Sequence, residues 1–191
     1  SKRVYFHADG VQQLLDIIEF AEKFELKYPV IVGGYEAHLL GKRLKDAKIP
    51  VMLNRVHSLP EREEDDVNLP YSLPALLQKQ GILFCIQNAG DMEAMNTRNL
   101  PFQAGTAMAY GLTEEEALQA ISLNPCKIMG ISDQFGSLES GKSATLFISK
   151  GPALDMKSNQ VSCLMFNGQI ESAENFQYKL YQKYKRKYQG K

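Results

Sequence analysis

Four short segments that are apolar on both faces, each followed by an amphipathic helical stretch, govern what this chain can fold into. Val4-Tyr5-Phe6-His7-Ala8 is the first, and Asp9-Gly10 turns it into a stretch with Val11, Leu14, Leu15, Ile18 and Ala21 at helical spacing. Residues 29–32 read as the next strand. Gly33-Gly34 then leads into a helix over 35–47, with Ala37, Leu40 and Leu44 inward. Residues 50–53 form a third strand, followed by a long polar loop and a helix over 72–80 that carries Leu73, Leu76 and Leu77. Residues 82–86 are the fourth strand, and a helix from 101 to 110 follows its loop. Strands buried on both faces and alternating with helices belong to a parallel sheet, because each crossover helix covers one face. Four such units are half of an eight-stranded barrel, which needs about 250 residues; this chain has 191.

A different kind of segment begins after Tyr110. Thr113-Glu114-Glu115-Glu116 is a capping box, and Ala117, Leu118 and Ile121 supply the apolar face of the helix it starts. Asn124-Pro125 restarts a short helix, with Asn124 as its cap, and Gly130 closes it in the left-handed conformation. Gly136-Ser137-Leu138-Glu139-Ser140-Gly141-Lys142-Ser143 then satisfies the pattern of a phosphate-binding P-loop. A P-loop must follow a strand and open a helix, so that loop amides and helix N-terminus face the phosphate together. Here a helix precedes the loop and an apolar, β-branched run, Ala144-Thr145-Leu146-Phe147-Ile148-Ser149, follows it. The context argues against nucleotide binding.

The run LTEEEALQAISLNPCKIMGI followed by GSLESGKSATLFI resembles the closing segment of the amidohydrolase superfamily, nearest the imidazolonepropionase-like and prolidase-like metal-dependent hydrolases. The Asn167-Gly168 hairpin between a strand over 161–166 and Gln169-Ile170 is similar to the family as well. One departure is Thr145, where the family usually has an aspartate. The resemblance implies an α/β fold: the C-terminal half of a TIM (β/α)8 barrel, family strands five to eight, plus closing strands of a small β-sandwich domain and a C-terminal helix. The corresponding segments are 1–135, 136–171 and 172–191. The abrupt start on a strand, with no signal peptide ahead of it, leads to the expectation that an N-terminal half is missing, and the compartment stays unassigned.

In a barrel, catalytic groups project from the C-terminal strand ends and the loops after them. That rule selects His7-Ala8-Asp9, Gly33-Gly34-Tyr35-Glu36, Asn54-Arg55-Val56-His57 and the loop from Gln87 to Asp91. By the resemblance, VYFHA matches the strand that carries a metal-binding histidine, which makes His7 a candidate metal ligand. Asp91 is the candidate for the last-strand aspartate that binds metal and handles the proton, although Asn88 sits nearer the strand end. Where many relatives end the second strand in a histidine, this chain has Gly33-Gly34; His38 lies a full turn into the helix and reads as a partly buried residue. His57 can reach the barrel mouth or belong to ordinary loop structure. The acidic run Glu61-Arg62-Glu63-Glu64-Asp65-Asp66 lacks the glycine of a calcium loop and reads as a solvated element at the mouth. Arg98 is placed to pair with a substrate carboxylate.

The expected function rests on the resemblance. It implies a metal-dependent hydrolase that cleaves a C–N bond, amide or cyclic amide, with metal-activated water. Zinc is the expected divalent ion in the full-length protein, with none required in this chain alone, and the chain alone is expected to be inactive. The alternative is a catalytically degenerate barrel with a binding or scaffold role. The expected partner is a small amide-type substrate, with a second copy or the missing half pairing against the open sheet edges. Neither nucleic acid nor membrane is expected. Lys plus Arg equals Asp plus Glu at 22 each, so no overall field favours a polyanion, and no apolar run approaches the ~20 residues of a membrane span. The basic helix over 174–191, with Phe176, Leu180, Tyr181 and Tyr184 at helical spacing, reads as a packing helix with a solvated face. Cys85, Cys126 and Cys163 have no metal-type spacing and lie in apolar surroundings.

Overall fold

The structure, a computed structural model, describes residues 2–89 and 93–189, the side chains of 93 and 94 aside. It divides into two compact units. One runs to Lys142 and includes Leu154–Met156; the other takes Ser143–Ala153 and Lys157 onward.

The first unit is the βα repeat. Strands β1 (Val4–Ala8), β2 (Pro29–Gly33), β3 (Val51–Leu53) and β4 (Phe84–Ile86) form a parallel sheet in chain order, with His7 opposite Val32 and Met52 opposite Cys85. Helices α1 (Val11–Lys23), α2 (Gly41–Asp46), α3 (Leu69–Gln80), α4 (Glu93–Asn96) and α5 (Leu100–Ala109) follow the strands in turn. Four consecutive parallel βα units make this half of a TIM barrel.

Each strand divides its side chains between two faces. On one face Ala8, Ile31, Val51, Leu53, Phe84 and Ile86 join a core with Leu14 and Ile18 of α1, Leu44 of α2, Leu77 of α3 and Ala104 of α5. Each large side chain buried there contributes about 1.5–3 kcal/mol. The opposite, inner face carries Tyr5 and His7 of β1, Val30 of β2, Met52 of β3 and Cys85 of β4. Helix α6 (Glu114–Ile121) leads into α7 (Leu123–Met129), whose Ile128 packs on Val30 and Cys85 at the N-terminal end of that inner face. Arg3 Nε donates to the Ile128 carbonyl at 2.7 Å, which ties α7 to the root of β1.

Several boundaries are set by long-range bonds rather than local propensity. Residues 35–47 do not form one helix: a 3-10 turn at Ala37–Leu40 precedes α2. The Tyr35 and Glu36 amides are taken instead by the Asp9 carboxylate at 3.2 Å and the Asp9 carbonyl at 2.9 Å. Helix α3 begins ahead of the expected position, with Pro70 in its first turn, where a missing N–H costs nothing. The capping box at Thr113 and Glu116 is present, with amide-to-side-chain bonds of 2.8 and 3.2 Å. At α7 the N-cap is Ser122, and Asn124 is buried one position inside the helix. Gly130 closes α7 at φ +71°, as the sequence indicates.

The glycine loop from Gly136 to Lys142 comes after α7, and the next regular element is strand β5 (Leu146–Ser149), not a helix. Lys142 Nζ donates to Ser137 Oγ at 2.6 Å and Glu139 Oε1 at 3.4 Å, so its ammonium is held by its own loop.

In the second unit β5, β6 (Val161–Phe166) and β7 (Gln169–Glu171) form an antiparallel sheet. Asn167 and Gly168 both have positive φ, +49° and +82°, the signature of a type I′ hairpin. Helix α8 (Phe176–Gln189) has no buried residue, and Tyr181, Tyr184 and Tyr188 are exposed.

Candidate active site

The C-terminal ends of all four strands of the parallel sheet open on one cavity of about 400 Å3. Asp9 lines it from the loop after β1, Gly33 from the end of β2 and Tyr35 from the loop after it, Leu53 from the end of β3, Asn54 and Arg55 from the loop after that, and Ala89 from the loop after β4. Ser58, Leu59 and Glu61 cover it from the long polar loop, with Pro70 and Leu73 of α3 behind them. The volume suits a small molecule.

Two buried polar groups hold these loops in place. Glu36 is 6% exposed; its Oε2 accepts from the Val11 amide at 2.6 Å, a carboxylate at the first turn of α1, and it pairs with Arg62. Gln103 of α5 is 2% exposed and works as a clamp. Its Oε1 accepts from the Val56 amide at 3.0 Å and its Nε2 donates to Asn88 Oδ1 at 2.8 Å, joining the loops after β3 and β4. The only hint of this in the sequence is a glutamine next to the helix face formed by Ala104 and Ala107.

The acidic loop is tied down through Tyr35. Its hydroxyl donates to Asp65 Oδ2 at 2.7 Å and accepts from the Glu61 amide at 3.2 Å. Burial, and then the bond to Asp65, push the Tyr35 phenol up to about 12. Partial burial also raises the Glu61 carboxyl, and the neighbouring carboxylates of Asp9, Glu36 and Asp65 add to it against the opposing charge of Arg62.

The candidate ligands are placed unevenly. His7 stands exposed near the C-terminal end of β1, on the face away from α1, since its neighbour Phe6 stacks edge-on against Phe20 of that helix with ring centroids 5.9 Å apart. It makes no side-chain hydrogen bond among the described residues. Asp91 lies outside the described residues. Asn88, the nearer strand-end position, has its side-chain oxygen engaged by Gln103. Gly33 cannot be replaced by a ligand without rearrangement. Its φ is +105°, and a Cβ built there would stand 2.6 Å from Asp9 Oδ1 and 2.9 Å from the Ala8 carbonyl.

The other sequence candidates are occupied or peripheral. His38 is half-buried, with Nδ1 3.2 Å from the Tyr35 carbonyl. His57 Nε2 lies 2.7 Å from Thr106 Oγ1, and desolvation lowers its pKa. Arg98 is exposed. Cys85 is buried on the inner face, where burial pushes its thiol up to about 12 and leaves it unreactive. No group of three or more His, Cys, Asp or Glu among the described residues is arranged to hold a metal ion, the acidic loop included.

Solved structures of other proteins share this half-barrel architecture. An amidohydrolase from Thermotoga maritima MSB8 is similar at 32% identity with a TM-score of 0.79; the match covers 90% of this chain and 44% of that one. A prolidase complexed with N-methylphosphonate-L-proline (17%, TM-score 0.61, 90% and 45%) and an adenosine deaminase from Xanthomonas campestris with bound zinc (16%, 0.60, 98% and 50%) share the fold. The chain spans about half the length of these structures or less. No curated protein matches it. Residues 6–170 match the model of the amidohydrolase family, a span that takes in all but the first two residues of the four parallel βα units and most of the antiparallel sheet, and the chain belongs to that family.

Proposed function

We propose that this chain, which spans about half the length of the structures it matches, is part of a metal-dependent hydrolase that cleaves a C–N bond in a small amide. The observation that carries this reading is His7: an exposed imidazole near a strand end, without a hydrogen-bond partner among the described residues. A neutral imidazole so placed fits a divalent ion, with zinc the expected metal, as a relative carries it. The ion supplies Lewis acidity and lowers the pKa of bound water toward ~7. From this chain His7 is the residue that would hold it, with Asp91 proposed for ligation and proton handling; further donors come from outside the chain. The loops after the four strands bind and orient the substrate, while Leu53, Leu59 and Leu73 keep part of the cavity apolar.

The edges of the sheet support a second element of the proposal. Strands β1 and β4 lie at its two ends. Their outer backbone groups call for pairing with the remaining half of the barrel or with a second copy. Among the described residues no helix is long and apolar enough to cross a membrane.

The test uses the full-length protein. Elemental analysis after purification should find a stoichiometric divalent metal, His7→Ala should lower its content, and a panel of N-acyl compounds should contain a hydrolysed member. A protein that takes up no metal on reconstitution and hydrolyses nothing favours a second reading, a barrel that binds without catalysis. The specific observation on that side is Gly33, whose backbone conformation and proximity to Asp9 are unsuited to a histidine.

A further inference from the structure

Helix α8 lies past residue 170, where the match to the family model ends. Its 14 residues hold five cations, Lys179, Lys183, Lys185, Arg186 and Lys187, and no acid. None of these side chains forms an ion pair among the described residues. Phe176, Leu180, Tyr184 and Tyr188 follow one another at four-residue steps, with Tyr181 beside them, so they share one face of the helix. Against the expectation of a packing helix, that face is uncovered: Phe176 is 70%, Tyr181 56%, Tyr184 49% and Tyr188 73% exposed. Lys179, Lys183 and Lys187 run along one flank of it, and Lys185 stands on the other. Lys185 Nζ lies 5.5 Å from the Tyr181 ring centroid and Lys187 Nζ 5.5 Å from that of Tyr188, so cations border the aromatic face directly.

We propose that α8 is an interfacial docking helix that lies flat on an anionic phospholipid surface. The occupant follows from two demands made together. Five positive charges without an acid in the helix call for a negatively charged partner, and the continuous apolar face beside them calls for an apolar layer directly beneath that charge. A bilayer with anionic headgroups offers both: the tyrosine rings sit at the boundary, and the lysine stems reach back to the headgroups. At 14 residues the helix is too short and too charged to cross the bilayer, so it lies along it. Pairing with α8 of a second copy would set two such groups of charges against each other. A nucleic acid would answer the cations and leave Leu180 and the rest of the stripe without an apolar layer. This inference does not depend on the hydrolase reading.

The test is flotation of the full-length protein with two sets of vesicles, one of phosphatidylcholine alone and one in which about a third of the lipid is phosphatidylglycerol. Binding to the anionic set should be at least about tenfold tighter than to the neutral set, and high salt should weaken it. Each cation near an anionic surface is worth about a fivefold gain in affinity, so Lys183→Gln, Lys185→Gln and Arg186→Gln together should lower it roughly a hundredfold. Tyr184→Ser with Tyr188→Ser, which keeps every charge, should lower it at least about fivefold through the lost apolar area. Both variants should unfold in urea as the wild type does, since α8 has no buried residue; a destabilised variant would show a helix that packs on the protein and overturns the inference. Equal binding to the two sets, binding to neither, affinity untouched by either variant, an α8-dependent dimer in place of vesicle binding, or tighter binding to single-stranded RNA than to anionic vesicles overturns it as well.

Discussion

Gly33→Ala in the full-length protein isolates the backbone turn that closes the second strand. Two costs arise. Holding an L side chain at φ +105° is strained by about 1–3 kcal/mol. The new methyl would also stand 2.6 Å from Asp9 Oδ1, which must swing away and release the Tyr35 amide it holds at 3.2 Å. A hydrogen bond to a charged acceptor is worth about 1.5–3 kcal/mol, so the total expected loss is roughly 2.5–6 kcal/mol. Urea denaturation measures it. Asp9→Ala should cost about 1.5–3 kcal/mol alone, since the same bond is lost. In the Gly33→Ala background it should cost much less, because that bond is already broken, and the double-mutant cycle should show a coupling of at least about 1 kcal/mol. A Gly33→Ala protein within about 0.5 kcal/mol of wild type, or strictly additive losses, would refute the account of a strand end closed by Asp9 and backbone conformation.

Gln103→Leu removes both ends of the clamp and leaves the amide of fully buried Val56 without its partner, so a loss of about 2–4 kcal/mol is expected by denaturation; a loss below about 1 kcal/mol would rule the clamp out. Tyr35, raised from 10.0 to about 12, favours its neutral form in the folded state. The associated stability is full below pH ~10 and fades as pH rises toward 12. Alkaline difference spectra of wild type against Tyr35→Phe should therefore show a phenol ionising about two pH units late, and a phenol titrating at the ordinary value would contradict the burial. Thr113→Ala opens the capping box of α6 and should cost about 1 kcal/mol, read from the same denaturation curves.

The alternation of strands and helices is legible because burial on both faces of a strand and on one face of a helix leaves two distinct periodicities. Val4–Ala8 and the capping box at Thr113 are set by residues within a few positions of one another, so sequence spacing suffices. The stretch from 35 to 47 departs from its helical spacing because its first amides bond to Asp9, 26 residues away from Tyr35, and no local pattern encodes that pairing. Asn124 has the residue type of a cap, but burial decides its place. At the site, the strand-end rule selects His7, Asp9, Tyr35, Glu36 and Arg55. It passes over Gln103, whose role exists only once two loops are folded over α5. The meaning of Gly33 likewise needs its dihedral angle.

Ile128 gives the sheet a floor. With Val30 and Cys85 packed against it and Arg3 strapping its carbonyl to the root of β1, the lower end of the inner face carries an apolar cluster. The cavity lies at the opposite rim, where polar loop residues outnumber apolar ones. Exposed rim positions such as Asn54 and Leu59 can therefore be randomised for new specificities, while buried Val56 and the basement that keeps the strands together are left untouched.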